Sequence, residues 1–69
     1  MKVRPYSLRH KEDREELKEA WLTDEHGDEL RVVGMSREQV LIGGVWHTPA
    51  YLLKHYKHAD GTPTGVVYG

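Results

Sequence analysis

Apolar positions recur along this chain with two periods, and the changes of period divide it into elements. From Lys11 to Leu22 the run KEDREELKEAWL contains strong helix formers and no Gly or Pro. Leu17, Ala20 and Trp21 fall at i, i+3 and i+4, which predicts a helix over 11–22 with one narrow apolar stripe anchored by Trp21. Glu12 and Asp13 occupy its first turn, where the helix dipole favours negative charge, and Ser7 is the candidate cap. A second helix is written into HTPAYLLKHYKHADG, residues 47–61. Thr48 can cap it, Pro49 suits the first helical position, and Gly61 and Pro63 stop it, giving a helix over 49–59. On a wheel, Leu52, Leu53, Tyr56 and Ala59 gather on one side, with Tyr51, Lys54, His55, Lys57 and His58 on the other.

The remaining apolar runs are short and rich in β-branched residues. Strands are predicted at about 30–35, 40–46 and 65–68, and KVRPY near the N-terminus suits an edge strand. DEHGDE, residues 24–29, reads as a turn. Ser36-Arg37-Glu38-Gln39 fits either a capping box opening a helix over 37–42 or a turn between strands. The adjacent Gly43 and Gly44 would leave such a helix fewer than two turns, so strand is favoured. The expected fold is α+β: a small antiparallel sheet, its last strand beside 30–35 or 40–46, covered by the two helices. A split βαβ wiring of the ferredoxin-like kind, or a small barrel plugged by helix 49–59, would satisfy this order.

Length limits how much such a fold can bury. The 69 residues form one domain, and a chain of this size buries only about 60% of the surface its unfolded form exposes. There is no Phe and no Cys, so the core rests on the aliphatic residues, Tyr and Trp, without disulfide or thiolate-zinc staples. A homodimer would add buried surface. No apolar run reaches the roughly 18 residues needed to span a bilayer, and the N-terminus lacks the apolar centre of a signal peptide, so a cytoplasmic protein without membrane contact is expected.

Charge is segregated along the chain. Net charge is −1, yet residues 1–9 carry +3, residues 10–29 carry −6 and residues 30–69 carry +2. Four exposed acids, Glu12, Glu15, Glu16 and Glu19, belong to the first helix, and the basic, histidine-rich face belongs to the second.

Catalytic and metal chemistry find little support in the pattern. There is no Cys nucleophile, no GxSxG elbow and no phosphate loop, and Asp24 and Asp28 around His26 are ordinary turn formers. His55 and His58, with His47 and Asp60 nearby, have a spacing that can approach a metal, but no Cys or HExxH pairing completes a ligand set, so neither metal nor cofactor is expected. If 37–42 were helical, 43–46 would be a turn, 49–59 a recognition helix and 64–68 a wing. That layout resembles the winged or excisionase-type helix-turn-helix, implying a DNA-binding regulator with Tyr51, Lys54, His55, Lys57 and His58 at the groove. A protein interface makes fewer demands, because the acidic helix with Trp21, Leu22 and Tyr6 suits a basic partner surface. The sequence thus favours a small non-enzymatic regulatory or adaptor protein. Its expected partner-binding residues are Tyr51, Lys54, His55, His58, Glu12, Glu15, Glu16, Glu19 and Trp21. Compact size and charge segregation suit a phage or mobile-element accessory protein.

Overall fold

A computed structural model of the chain describes residues 2–68. The first helix, α1, spans Lys11–Leu17 and follows a short N-terminal strand, β1 (Lys2–Pro5). It does not continue to Leu22. Lys18 is extended, Glu19 takes a left-handed φ of 56°, and Trp21–Thr23 form a strand, β2. Leu22 explains the early stop. Five residues beyond Leu17, a continued helix would turn Leu22 some 140° away from the Leu17 stripe, whereas the strand buries it completely. Full burial of a leucine side chain stabilises by about 1.5–3 kcal/mol. Helix propensities differ by at most about 0.7 kcal/mol for ordinary residues, so packing wins.

β2 pairs antiparallel with β3 (Glu29–Met35), and β3 pairs in turn with β4 (Val40–Ile42) through a bulge at Val33. Residues 36–39 are therefore a turn: the Ser36 hydroxyl accepts from Gln39 N–H at 3.0 Å, and the two backbones pair at 2.8 Å. The strand reading of 40–42 holds, and the helix needed by the helix-turn-helix layout is not formed. Gly43 and Gly44, with φ of 58° and 80°, make the two-residue hairpin turn into β5 (Val45–His47), where such angles exclude most other residues.

The second helix, α2, spans Pro49–His55, four residues shorter than expected at its C-terminal end. Thr48 caps its start as predicted, accepting from Tyr51 N–H at 3.3 Å. Its other end is closed from a distance, because the fully buried Thr64 hydroxyl meets the carbonyls of Leu52 at 2.6 Å and Tyr56 at 3.0 Å. Tyr56 is extended, and Lys57–His58 form a two-residue strand, β6, alongside β2. The last strand, β7 (Gly65–Tyr68), pairs with β1 rather than with 30–35 or 40–46. Gly65 permits that pairing, since a Cβ there would come within 2.4 Å of the Arg4 carbonyl oxygen.

The architecture is thus a five-stranded antiparallel sheet in the order β5-β4-β3-β2-β6, a separate β1-β7 ribbon, and two short helices. Cross-strand partners share a face, so Leu22, Val32, Val40 and Ile42 point inward to meet Leu17, Leu52, Tyr6 and Leu8 in one core. The outer face carries Trp21 opposite Arg31, and Trp46 opposite Leu41. Trp21 therefore does not anchor a helix to the core: it is 52% exposed, and Trp46 is 47% exposed. Among the described residues no helix is long and apolar enough to cross a membrane.

One buried charge ties the N-terminal elements together. Ser7 does not cap α1, whose N-cap is His10. Instead Ser7 N–H donates at 2.8 Å to the carboxylate of Asp13, which also receives Arg4 Nη1 at 3.1 Å. Burial raises the Asp13 pKa, but the Ser7 hydrogen bond and the Arg4 guanidinium outweigh it and hold the carboxyl below its ordinary 3.8.

Leu22→Ala should cost about 3 kcal/mol in urea unfolding, whereas Trp21→Ser on the next residue should cost less than about 1 kcal/mol; equal losses would return Trp21 to the core. Because the folded pKa of Asp13 lies below the unfolded one, its contribution is complete above pH 3.8 and disappears as pH falls through the folded value. Asp13→Asn should therefore lower stability by about 2 kcal/mol at neutral pH and flatten the acid limb, which a pH series of unfolding midpoints checks.

Candidate functional site

The best-defined site surrounds His58. Register places His58 opposite Leu22, and Ala59 N–H then donates to Trp21 O at 3.0 Å, pulling the 59–62 loop against the start of β2. Within that loop His58 N–H donates to Thr62 O at 2.9 Å, and Asp60 Oδ1 accepts from the Thr62 hydroxyl at 2.7 Å and its N–H at 3.0 Å. The hydroxyl and then the N–H of Thr62 hold the exposed Asp60 carboxyl below its usual range. On the other side, Tyr6 OH meets His58 Nε2 at 2.9 Å, with the rings edge to face. Burial, followed by the Glu16 carboxylate, pushes the Tyr6 phenol well above its ordinary 10. It stays protonated, and the imidazole tautomer sets which partner donates in the Tyr6–His58 bond.

These residues line two adjoining clefts. One, of about 420 Å³, lies between Glu16, Trp21, His58 and Asp60. Its neighbour, of about 560 Å³, shares Glu16, His58 and Thr62 and continues past Tyr6 to Pro63, Val66 and Val67. The combined groove offers two carboxylates, a half-exposed indole and the apolar side chains of Pro63, Val66 and Val67. That combination suits a cation on an aliphatic stem, which gains charge-assisted hydrogen bonds and a cation–π contact.

The other predicted residues are distributed elsewhere. Glu12, Glu15 and Glu19 are exposed as expected, but only Glu16 of that set lines the His58 groove. Glu15 and Glu19 border a separate cleft of about 410 Å³ between α1 and β3, where Glu19 also lies 3.4 Å from Arg31. His55 and His58 do not share a helix face, because α2 ends between them. They meet instead across a fourth cleft of about 340 Å³, together with Lys54, Glu25 and Asp24. Tyr51 is 44% exposed and sits between two imidazoles, stacked on His47 at 4.7 Å and tilted against His55 at 4.3 Å. His55 Nδ1 contacts the Glu25 carboxylate. That pairing sets a carboxylate on the face expected to be basic, and among the described residues Lys54 of α2 has no ion-pair partner.

The i, i+4, i+8 spacing of His47, Tyr51 and His55 was the legible sign of the stack. Glu25 had no such sign, because 30 residues separate it from His55. Among the described residues, no group of three His, Asp or Glu side chains converges to hold a metal ion. Comparison with protein-family models, curated proteins and solved structures gives no match.

Tyr6→Phe keeps the ring but leaves His58 Nε2 without its partner, and should cost about 1 kcal/mol. The raised phenol pKa also means that the unmodified protein loses stability as pH climbs above 10. A pH series of unfolding midpoints should show that alkaline loss diminished in the Phe variant.

Proposed function

We propose that this domain is a small non-enzymatic protein-binding module, regulatory or adaptor in role, which seats a basic segment of another protein in the His58 groove. The observation that supports it is the placement of a tryptophan more than half in solvent beside the carboxylates of Glu16 and Asp60. A solvated indole leaves apolar area in water, and such residues anchor interfaces where they enter a partner's contact. The carboxylates select a partner's sign and speed its approach. Tyr6 and His58 then act as fixed walls, since their mutual hydrogen bond joins the N-terminal segment to β6. Protein binding accounts for Trp21 and Glu16 through a single surface. The exposed α2 residues Tyr51 and Lys54, with His55, would flank that surface across the cleft shared by His55 and His58.

The test is an amide NMR titration of labelled protein with a short peptide of alternating Lys and Leu, and with its Glu counterpart. The basic peptide should shift the signals of Glu16, the Trp21 indole, His58 and Asp60, more weakly at 0.15 M salt than at low salt because the Debye length shrinks to about 8 Å. Trp21→Ser should weaken that binding by about tenfold or more. Equal responses to both peptides, or shifts that avoid these residues, would overturn the reading.

A further inference from the structure

The two ends of the five-stranded sheet are managed differently. At one end β6 is only two residues long, carries Lys57, and is covered by its own loop through the His58 N–H to Thr62 O bond and the Lys57–Pro63 bridge. The β1 strand of the ribbon carries Lys2, Arg4 and Pro5. These are the devices that keep strand edges from pairing with other chains. The opposite end of the sheet, β5, has none of them. It lies inside the longest uncharged run of the chain, residues 39–53 of a sequence that is 30% charged. Apolar side chains project to both sides of it, with Val45 54% exposed and Trp46 47% exposed.

The hairpin decides which backbone groups are free. Across a two-residue turn the flanking residues exchange both hydrogen bonds, so Val45 faces Ile42, His47 faces Val40, and both turn their amides inward. Trp46 lies between them and turns its N–H and C=O away from β4.

We propose that β5 is a self-pairing edge, and that two copies of this chain join antiparallel through it with Trp46 opposite Trp46 of the second copy. This register is self-complementary about a two-fold axis: the two Trp46 backbones exchange both hydrogen bonds, and Val45 of each copy faces His47 of the other. The indoles then stack as a cross-strand aromatic pair on the outer face. A second copy is the occupant favoured by charge, because the uncharged run offers nothing to attract an acidic or basic strand and nothing to repel its own image. The two five-stranded sheets become one of ten strands, in which Val45 gains cover beside the buried Ile42 of each core and Trp46 gains cover on the outer face. The His58 groove is at the far edge of each sheet and stays open.

Sedimentation equilibrium from micromolar to millimolar protein, paired with amide hydrogen exchange, tests this. The mass should rise from 8.0 kDa toward twice that value, while exchange at the Trp46 amide slows by about tenfold or more as the pairing forms. Trp46→Lys, at a solvent-facing position, should stay folded and weaken dimerisation by about tenfold or more. A monomer across the whole range would overturn the proposal, as would a dimer in which the Trp46 amide exchanges no more slowly. Titrating the Lys/Leu peptide into Trp46→Lys keeps the two readings separate, since groove binding should survive the loss of the dimer.

Discussion

Burial of Leu22 directs the chain after α1 and, through it, builds the groove. Once Leu22 enters the core, its neighbours must lie on the other face of a strand, and Trp21 is thrown into solvent. The strand then supplies an edge for Lys57–His58, and that pairing brings the 59–62 loop and Asp60 to Trp21. A single aliphatic side chain therefore converts what would be a longer helix into one wall of a groove. The opposing contribution is weak, since the helix loses only small propensity terms and closes with Glu19 in a left-handed conformation.

Polar atoms hold the elements that the small core cannot. Eight apolar residues are buried, drawn from the segment before α1 and from α1, β2, β3, β4 and α2, and this leaves the helix ends and the N-terminal segment to be fixed by other means. Asp13 gathers Arg4 and Ser7, Arg14 donates to the Leu8 carbonyl at 2.9 Å, and Thr64 closes the C-terminal end of α2. Each is a buried or half-buried group with its partners in place, and among the described residues no buried side-chain polar atom lacks a partner. Such contacts are also directional, so they set the orientation of α1 and with it the position of Glu16 over the groove.

What was legible in the sequence was what local chemistry decides. The α+β class, the Thr48-Pro49 start of α2, the Gly43-Gly44 hairpin and the strand at 40–42 all rest on residues within a few positions of one another. The failures share a different cause. The ends of both helices are set by partners far away in sequence: β3 and β6 claim the chain after Leu17, and Thr64 closes α2 eight residues beyond Tyr56. The last strand pairs with β1 instead of 30–35 or 40–46, and the close approach of Gly65 to the Arg4 carbonyl that accompanies this pairing spans about 60 residues of sequence. The candidate site suffered in the same way. Trp21 and Glu16 were legible as an acidic, aromatic pair on one segment, but their convergence with His58 and Asp60 depends on a two-residue strand pairing that no local pattern announces.

The molecule leaves both of its tryptophans about half exposed to water. In a chain without Phe, indoles are the largest apolar groups available, and the core nevertheless closes around leucine, valine, isoleucine and Tyr6. Placing Trp21 and Trp46 on the outer face forgoes burial that a protein this small can ill spare. Their settings differ in charge: Trp21 sits among carboxylates at the covered edge, Trp46 in an uncharged run at the bare one. Electrostatics suits the first to a partner of opposite sign and the second to one that carries no charge at all, and a second copy of β5 meets that second requirement.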